Sequence, residues 1–331
     1  MKVIKGTIIL FSTLLITSKV CANASINFNP KKSISMNLNS EQILATDSLV
    51  NTNSVISKDG TKIGYQQYGK GPGLVLVQGA MGTTFNYDQL AKALSNNFTV
   101  YVPERRGRKL SPKEYTPQHS IDREVEDVNS VLEKTGAHYI FGLSSGAIIT
   151  LESTKLLSTI QKTILYEPPF YVEPVPVKKI ENVFQQIEEG KTVDAMISAF
   201  KIVKVGPSFF NFAPRFILRL GVKKFLRDEE EKGVGKYEYT KKLLPSMRFD
   251  FKVVLDKASQ ITSYKTVNKP ILLLGGSKSP QYLKEALSSL EKTLPNVRRT
   301  EFEGLDHNAP WNTDKLGSPE IVAKAIIEFL K

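Results

Sequence analysis

The sequence is poor in the residues that support disulfide, thiol or metal chemistry. Its 331 residues include one cysteine, Cys21, and three histidines. No cluster of these residues has the spacing of a metal site, and no glycine-rich loop typical of nucleotide binding is present. We therefore expect the protein to work without a metal ion or other cofactor.

The chain also lacks a long apolar run. The longest near the start, residues 7–16 (TIILFSTLLI), is too short to span a bilayer. Lys2 and Lys5 precede it, and small residues follow around Ala22 and Ala24. This pattern predicts a secretory signal peptide over residues 1–24 and a secreted or periplasmic protein, and an uncleaved membrane anchor is the alternative.

Cys21 falls within the predicted cleavage region. A lipoprotein signal would need small residues before this cysteine, and Lys19-Val20 fits that poorly. Cleavage after Ala22 or Ala24 would leave a mature chain without cysteine. Residues 25–54, rich in Asn and Ser, are predicted to be a loosely ordered leader, so the folded domain is expected to start near Val55.

The formal charge is +12, and removal of Lys2, Lys5 and Lys19 leaves +9. The remaining cations are spread along the chain and are not interleaved with aromatic residues, so we expect no nucleic-acid partner. A solvated surface and a weak attraction to anionic surfaces both remain open. A small molecule is the expected substrate, and the sequence does not indicate an oligomeric state.

Strand-like and helix-like segments alternate from about residue 74 onward, which predicts an α/β fold with a mostly parallel sheet covered by helices. The predicted strands are 74–77, 98–102, 139–141, 163–166, 270–274 and 299–302, and the predicted helices include 86–94, 120–135 and 319–330.

Residues 142–146 (GLSSG) join a predicted strand to a predicted helix. Such a turn lifts the Ser144 hydroxyl clear of the sheet, and a side chain at Gly142 or Gly146 would collide with it. The helix N-terminus behind Ser144 favours developing negative charge. Ser144 is therefore the candidate nucleophile, and it needs a base.

His307 is the candidate base, because its loop follows the last strand and returns to the carboxyl edge of the sheet. His138 lies at the opposite end of the strand that leads to Ser144, so we expect it at the surface. His119 lies in a Pro-containing loop and is expected to have a structural role.

The chain from about Gly60 onward resembles α/β-hydrolase fold proteins that carry a helical cap. The resemblance rests on VQGAMG, VPERRGRKLS, GLSSG, LYEPPF, PILLLGGSKSP and GLDHNAPW. It implies a core over residues 55–169 and 258–331 and an inserted cap over 170–257. Two positions depart from the family pattern: Gln78 replaces the usual histidine, and Lys109 replaces the usual glycine.

The triad acid is not where the resemblance would put it. Most relatives carry an aspartate after the penultimate strand, and this chain has Ser279 there. Glu167 ends the strand next to the nucleophile strand, and some relatives take their acid from that position. Asp306 is a weaker candidate, since side chains of neighbouring residues in an extended segment point apart. A glutamate merely held in a loop by Pro168-Pro169 is the non-catalytic alternative.

The family pattern also implies an oxyanion hole formed by the backbone N–H groups of Ser145 and Ala80. Segments between residues 170 and 257 have helical patterns, and cap residues there are expected either to line an apolar pocket or to pack on one another. The candidates are Phe209, Phe210, Phe212, Phe216, Met247 and Phe249.

Together these residues predict a serine hydrolase that transfers an acyl group to Ser144 and then to water. A carboxylesterase acting on a small or medium-sized apolar ester is the primary expectation. An amidase, a C–C bond hydrolase and a non-catalytic ligand-binding relative are the alternatives, the last favoured by the missing carboxylate at Ser279.

Overall fold

The computed structural model describes residues 51–204 and 212–331. Their central element is an eight-stranded sheet. In chain order the strands are β1 (Asn51–Ile56), β2 (Lys62–Tyr68), β3 (Gly73–Val77), β4 (Thr99–Pro103), β5 (Tyr139–Leu143), β6 (Lys162–Tyr166), β7 (Ile271–Gly276) and β8 (Val297–Phe302).

The strand order is β1-β2-β4-β3-β5-β6-β7-β8. The pairs β1–β2 and β2–β4 are antiparallel, and the remaining pairs are parallel, so the prediction of a mostly parallel sheet is confirmed. Leu143 pairs with Tyr166, Tyr166 with Leu274, and Gly276 with Phe302. The carboxyl ends of β5, β6, β7 and β8 therefore lie side by side.

Helices cover both faces of the sheet, as alternating side chains of the buried strands require. In β3, Leu74 and Leu76 belong to one apolar cluster, and Val75 and Val77 belong to the other. The first cluster includes α1 (Asp88–Leu94) and α10 (Pro319–Leu330), and the second includes α2 (Ile121–Thr135), α3 (Ser145–Leu156) and α9 (Gln281–Thr293).

Between β6 and β7 the chain forms a helical insertion instead of continuing the sheet. Its described helices are α4 (Val177–Glu188), α5 (Thr192–Val203), α6 (Arg215–Lys232), α7 (Thr240–Leu243) and α8 (Met247–Lys257). Helix α8 packs against α2, α3 and α4, so it links the insertion to the core. No helix within residues 51–204 and 212–331 is both long and apolar enough to cross a bilayer.

The structure extends the predicted elements in three places. Strand β1 begins at Asn51, four residues before the expected domain start at Val55, and β2 and α9 lie where no element was predicted. Strand β1 is largely exposed, so it carries little of the burial pattern that marks a strand. The predicted signal peptide and residues 25–50 of the leader lie outside the described residues.

Candidate active site

Ser144 lies in the sharp turn between β5 and α3, with φ 55° and ψ −126°. A positive φ is costly for a residue with a side chain and persists only where the surroundings impose it. Here the Ser144 N–H donates to the carbonyl of Tyr166 at 2.9 Å, and the Ser144 carbonyl accepts from the N–H of Ala147 at 2.8 Å. The turn is thus tied to the neighbouring strand and to its own helix.

The glycines around Ser144 are required by close packing. A Cβ at Gly142 would lie 2.4 Å from Thr150 Oγ1, and a Cβ at Gly146 would lie 2.4 Å from the carbonyl oxygen of Gln78. Both distances are well inside van der Waals contact. The expected collision exists at both positions, and it involves the following helix and the loop after β3.

His307 and Glu167 are in direct contact. Nδ1 of His307 lies 2.7 Å from Oε2 of Glu167. Glu167 is fully buried directly after β6, at φ 47°, and the His307 side chain is 13% exposed. Because a carboxylate only accepts hydrogen bonds, this contact puts the imidazole hydrogen on Nδ1 and leaves Nε2 as the acceptor.

The second oxygen of Glu167 is held by two donors at the end of β7. Oε1 accepts from the Gly276 N–H at 2.6 Å and from the Ser279 hydroxyl at 2.6 Å. Ser279, which replaces the usual aspartate, therefore supports the neighbouring glutamate. The Asp306 carboxylate instead accepts from the N–H of Asn308 at 2.8 Å, within its own loop.

The other two histidines lie away from Ser144. His138 is exposed, with Nδ1 2.9 Å from the carbonyl oxygen of Thr159. His119 is buried against the ring of Phe249, with a centroid distance of 4.8 Å, and its Nε2 lies 3.4 Å from Oε1 of Glu124. Neither position places a base beside the serine.

The loop after β3, residues 78–82, is here called the β3 loop. Ala80 in this loop and Ser145 line the same cavity as Ser144, and within the described residues their N–H groups have no hydrogen-bond acceptor. Gln78 is fully buried, and its Nε2 donates to the carbonyl of Pro103 at 2.6 Å. The residue that replaces the usual histidine thus anchors the β3 loop to the end of β4.

Two buried charged side chains near Ser145 were not identified from the sequence. Arg105 Nη1 donates to Ser145 Oγ at 3.0 Å and to Asp250 Oδ1 at 2.5 Å. Asp250 belongs to α8, 145 residues further along the chain. A pair so distant in sequence leaves no local pattern that would identify it.

A cavity of about 240 Å³ contains the reactive groups. Its lining includes the candidate reactive groups of Ser144, Ser145, Ala80 and His307. Most of the other lining side chains are apolar or aromatic: Met81, Leu143, Pro169, Tyr171, Ala199, Phe200, Val203, Met247, Phe251, Val254, Tyr282 and Trp311. Burial raises the pKa of Tyr171 to about 12, so this phenol is neutral at physiological pH. The cavity therefore suits an apolar ligand.

The predicted pocket residues of the insertion are only partly correct. Met247 lines the cavity. Phe249 is buried against Tyr115 and His119 instead, and Phe212 and Phe216 are 87% and 64% exposed, so none of these three candidates lines the cavity. Helical periodicity indicates which residues share a face but not which face meets the cavity. Phe209 and Phe210 lie outside the described residues.

In the described part of the chain, no three His, Cys, Asp or Glu side chains come together as a metal site requires. The chemistry available at the cavity is that of a serine hydroxyl, an imidazole–carboxylate pair and free backbone N–H groups.

Comparisons with known proteins identify the family to which this fold belongs. Residues 74–325 match the family model of the "Alpha/beta hydrolase family". A curated relative, "Uncharacterized hydrolase YraK" of Bacillus subtilis (strain 168), is 32% identical over 103 residues, which cover 30% of this chain and 38% of that protein. The chain therefore aligns with well under half the length of this relative.

Solved structures match over most of the chain. An alpha/beta hydrolase from Sphaerobacter thermophilus DSM 20745 has a TM-score of 0.67 at 26% identity, covering 84% of this chain and all of its own. The esterase RhEst1 from Rhodococcus sp. ECU1013 has a TM-score of 0.57 at 14% identity, covering 84% of this chain and 98% of its own. At 14% identity the likeness concerns the fold alone.

Proposed function

The chain belongs to the alpha/beta hydrolase family, and we propose that it is a serine hydrolase. We propose further that it is exported, on the basis of the basic residues, short apolar run and small residues within positions 1–24. We assign it as a carboxylesterase that cleaves small or medium-sized apolar esters through an acyl-enzyme. Ser144 is the nucleophile, His307 the base, and Glu167 the acid that orients the base. The N–H groups of Ala80 and Ser145 form the oxyanion hole.

The observation that carries the proposal is the contact between His307 and a fully buried Glu167 at the same sheet edge as Ser144. The glutamate accepts from Gly276 and Ser279 on one oxygen and faces the imidazole with the other. A carboxylate held in this way stabilises the imidazolium that forms when the base takes a proton. The missing carboxylate at Ser279 was the main reason to expect a site without catalytic activity. A carboxylate supplied by Glu167 removes that reason.

In the proposed reaction, Nε2 of His307 takes the proton of Ser144 as its oxygen attacks the substrate carbonyl. In the described residues no hydrogen bond joins these two side chains, and such contacts commonly tighten only when substrate is bound. His307 then gives the proton to the leaving alcohol. Water enters, loses a proton to the same nitrogen, and releases the acid product and the free serine.

The oxyanion hole has to hold the negative charge that develops on the carbonyl oxygen. Ala80 and Ser145 border the cavity beside Ser144, and their N–H groups lack other acceptors among the described residues. Donors that are already in place need no reorganisation during the reaction, which is why such sites contribute several orders of magnitude to the rate.

The substrate class follows from the size and lining of the cavity. Its volume of about 240 Å³ lies below the roughly 300–1,000 Å³ typical of pockets for drug-sized ligands. Its walls are mainly aliphatic and aromatic. These features support an ester with a short or medium apolar acyl group.

Covalent labelling tests the nucleophile. A fluorophosphonate probe should add one label to the wild-type protein and none to Ser144→Ala, as read by intact mass. Turnover of a matched ester and amide then separates an esterase from an amidase. A folded wild-type protein that neither labels nor hydrolyses either substrate would mean a non-catalytic relative.

Export is tested separately. Intact mass of the protein recovered outside the cytoplasm should show the loss of about 22 to 24 residues, as expected for a small-residue cleavage site. A mass that retains residues 1–24, or a lipid on Cys21, would contradict this part of the proposal.

A further inference from the structure

Asp250 belongs to the helical insertion, yet its carboxylate lies against the core beside the candidate oxyanion hole. It is 1% exposed and borders the cavity. Oδ2 accepts from the Met81 N–H at 3.1 Å, and Oδ1 accepts from Arg105 at 2.5 Å and lies 3.4 Å from Ser145 Oγ. Arg108 Nη2 donates to both oxygens, at 3.0 and 3.1 Å.

These partners adjoin both candidate oxyanion donors. Met81 directly follows Ala80, whose N–H is one donor, and Ser145 carries the other donor on its own backbone. A single carboxylate from α8 therefore touches both segments that would form the hole. Asp250 reaches both segments through side-chain hydrogen bonds and not through the strand pairing of the sheet.

Arg105 completes the same arrangement from the core side. Its Nη1 donates to Ser145 Oγ at 3.0 Å and to the Gln78 carbonyl at 3.4 Å, at the start of the β3 loop. Its other nitrogens donate to Glu124 at 2.8 and 3.1 Å. Burial alone would lower the pKa of Arg105, but Glu124 and Asp250 raise it above the usual value, so the guanidinium stays charged.

The β3 loop needs such a support because its backbone is strained. Met81 has φ 56°, in the left-handed region that residues with side chains rarely occupy. A strained conformation of this kind persists only when surrounding contacts impose it. The hydrogen bond from the Met81 N–H to Asp250 is such a contact, since it fixes the direction of the peptide next to Ala80.

We propose that Asp250 is a positioning residue of the oxyanion hole, and that it makes hydrolysis depend on the seating of α8 against the core. This inference rests on the proposed serine-hydrolase function. Through Met81 it aligns the Ala80 N–H, and through Ser145 and Arg105 it aligns the second donor. A displacement of α8 would misalign both donors, although no hydrogen bond in the described part of the chain joins Asp250 to His307 or Glu167.

Asp250→Asn is the most selective test. The Oδ1 position faces donors from Arg105, Arg108 and Ser145, so the amide oxygen should stay there. The NH₂ group then occupies the Oδ2 position and faces donors from Met81 and Arg108, so the hydrogen bonds that both make to Oδ2 are lost. We expect kcat to fall about 10- to 100-fold with KM for a short-chain ester changed less than about threefold, because only the transition state needs the aligned hole.

Ser145→Ala is the second variant and keeps every charge in place. It removes the hydroxyl that meets Arg105 and Asp250 but leaves the Ser145 backbone N–H, and alanine is well tolerated in a helix. We expect a smaller fall in kcat, again without a matching change in KM. Affinity for an arylboronic acid, which forms a tetrahedral adduct with the serine, should fall with kcat in both variants.

Lys257→Met is the matched control. Lys257 lies on the same helix and pairs with Glu152 of α3 at 3.0 Å, so it also links the insertion to the core, but it does not border the cavity. This variant should lower the urea midpoint of unfolding. Because the lost ion pair is remote from the cavity, kcat should stay within about twofold of the wild-type value.

The outcomes separate the two proposals. If Ser144→Ala retains hydrolysis, the serine-hydrolase function is wrong and the inference about Asp250 is wrong with it. If Ser144→Ala is inactive but Asp250→Asn and Ser145→Ala keep kcat within threefold of wild type, only the positioning role is overturned. A loss of kcat in Lys257→Met equal to that in Asp250→Asn would also overturn it, because the effect would then be structural.

Discussion

Replacing Glu167 with glutamine should disable the site through the tautomer of His307. The glutamate Oε1 accepts from the Gly276 N–H and the Ser279 hydroxyl, both at 2.6 Å. A backbone N–H can only donate, so the glutamine oxygen must take this position. Its NH₂ group then faces His307 Nδ1, 2.7 Å away in the wild type, and forces that nitrogen to accept.

The consequence is a proton on the wrong nitrogen. With Nδ1 as acceptor, the neutral imidazole carries its hydrogen on Nε2, which can no longer take the proton of Ser144. The same change in a protease triad costs about 10⁴ in kcat. At about 1.36 kcal/mol per factor of ten, this corresponds to a transition state about 5 kcal/mol higher in free energy. Binding of the ester should change little.

The assay is hydrolysis of a short-chain p-nitrophenyl ester, with circular dichroism to confirm folding. Asp306→Asn is the matched control, because it also removes a carboxylate beside the base. The Asp306 carboxylate accepts from the Asn308 N–H, and no hydrogen bond joins it to the imidazole among the described residues. Loss of this one part-buried loop hydrogen bond should therefore lower kcat by less than about tenfold.

Near-wild-type activity in a folded Glu167→Gln protein would refute the assignment of the acid. Collapse of activity in Asp306→Asn, with Glu167→Gln active, would transfer the role to Asp306. A loss confined to KM in Glu167→Gln would show that the glutamate shapes the pocket and does not orient the base.

Three further predictions concern packing, acid stability and selectivity. Gly146→Ala should lower the free energy of unfolding by about 1–3 kcal/mol in urea titration, because its Cβ would meet the Gln78 carbonyl at 2.4 Å. Burial alone would raise the pKa of Glu124, but Arg105 holds this pKa well below the usual 4.5. As the pH falls below about 4.5, the glutamate of the unfolded chain therefore takes up a proton before that of the folded protein, and the free energy of unfolding should decrease. Urea midpoints from pH 7 to 3 should show this slope, and Glu124→Gln should reduce it. Val254→Phe should lower kcat/KM for an octanoate ester more than for an acetate ester, because Val254 lines the cavity.

The sheet and the positions of Ser144 and His307 could be predicted because they depend on local patterns. Buried parallel strands appear as short apolar runs, and the glycines of the turn at Ser144 are required by contacts within a few residues or with the next strand. The order of the strands then brings their carboxyl ends together. A residue that follows such a strand can therefore be placed near the others from its chain position alone.

The contribution of the helical insertion could not be predicted in the same way. Phe249 was one candidate for the pocket lining and is buried against His119, while Asp250, the next residue, borders the cavity. Adjacent helical positions point about 100° apart, so the face that meets the core decides which residue borders the cavity. That face depends on how α8 packs against helices distant in sequence, and its charged partner Arg105 lies in a different loop.

The proposed exchange of the acid between two strand ends has a physical basis in the contact between Ser279 and Glu167. The Ser279 hydroxyl donates to Glu167 Oε1 at 2.6 Å, so the position that carries the acid in most relatives here supplies a hydrogen bond to the proposed acid. A carboxylate at both positions would place two like charges at this distance in a buried site, where one of them would have to stay protonated. The two positions are therefore mutually exclusive sites for an ionised acid. An ionised glutamate at the end of β6 requires an uncharged residue at position 279, and a serine there also donates a hydrogen bond to it. For this reason the absence of an aspartate at position 279 indicated Glu167.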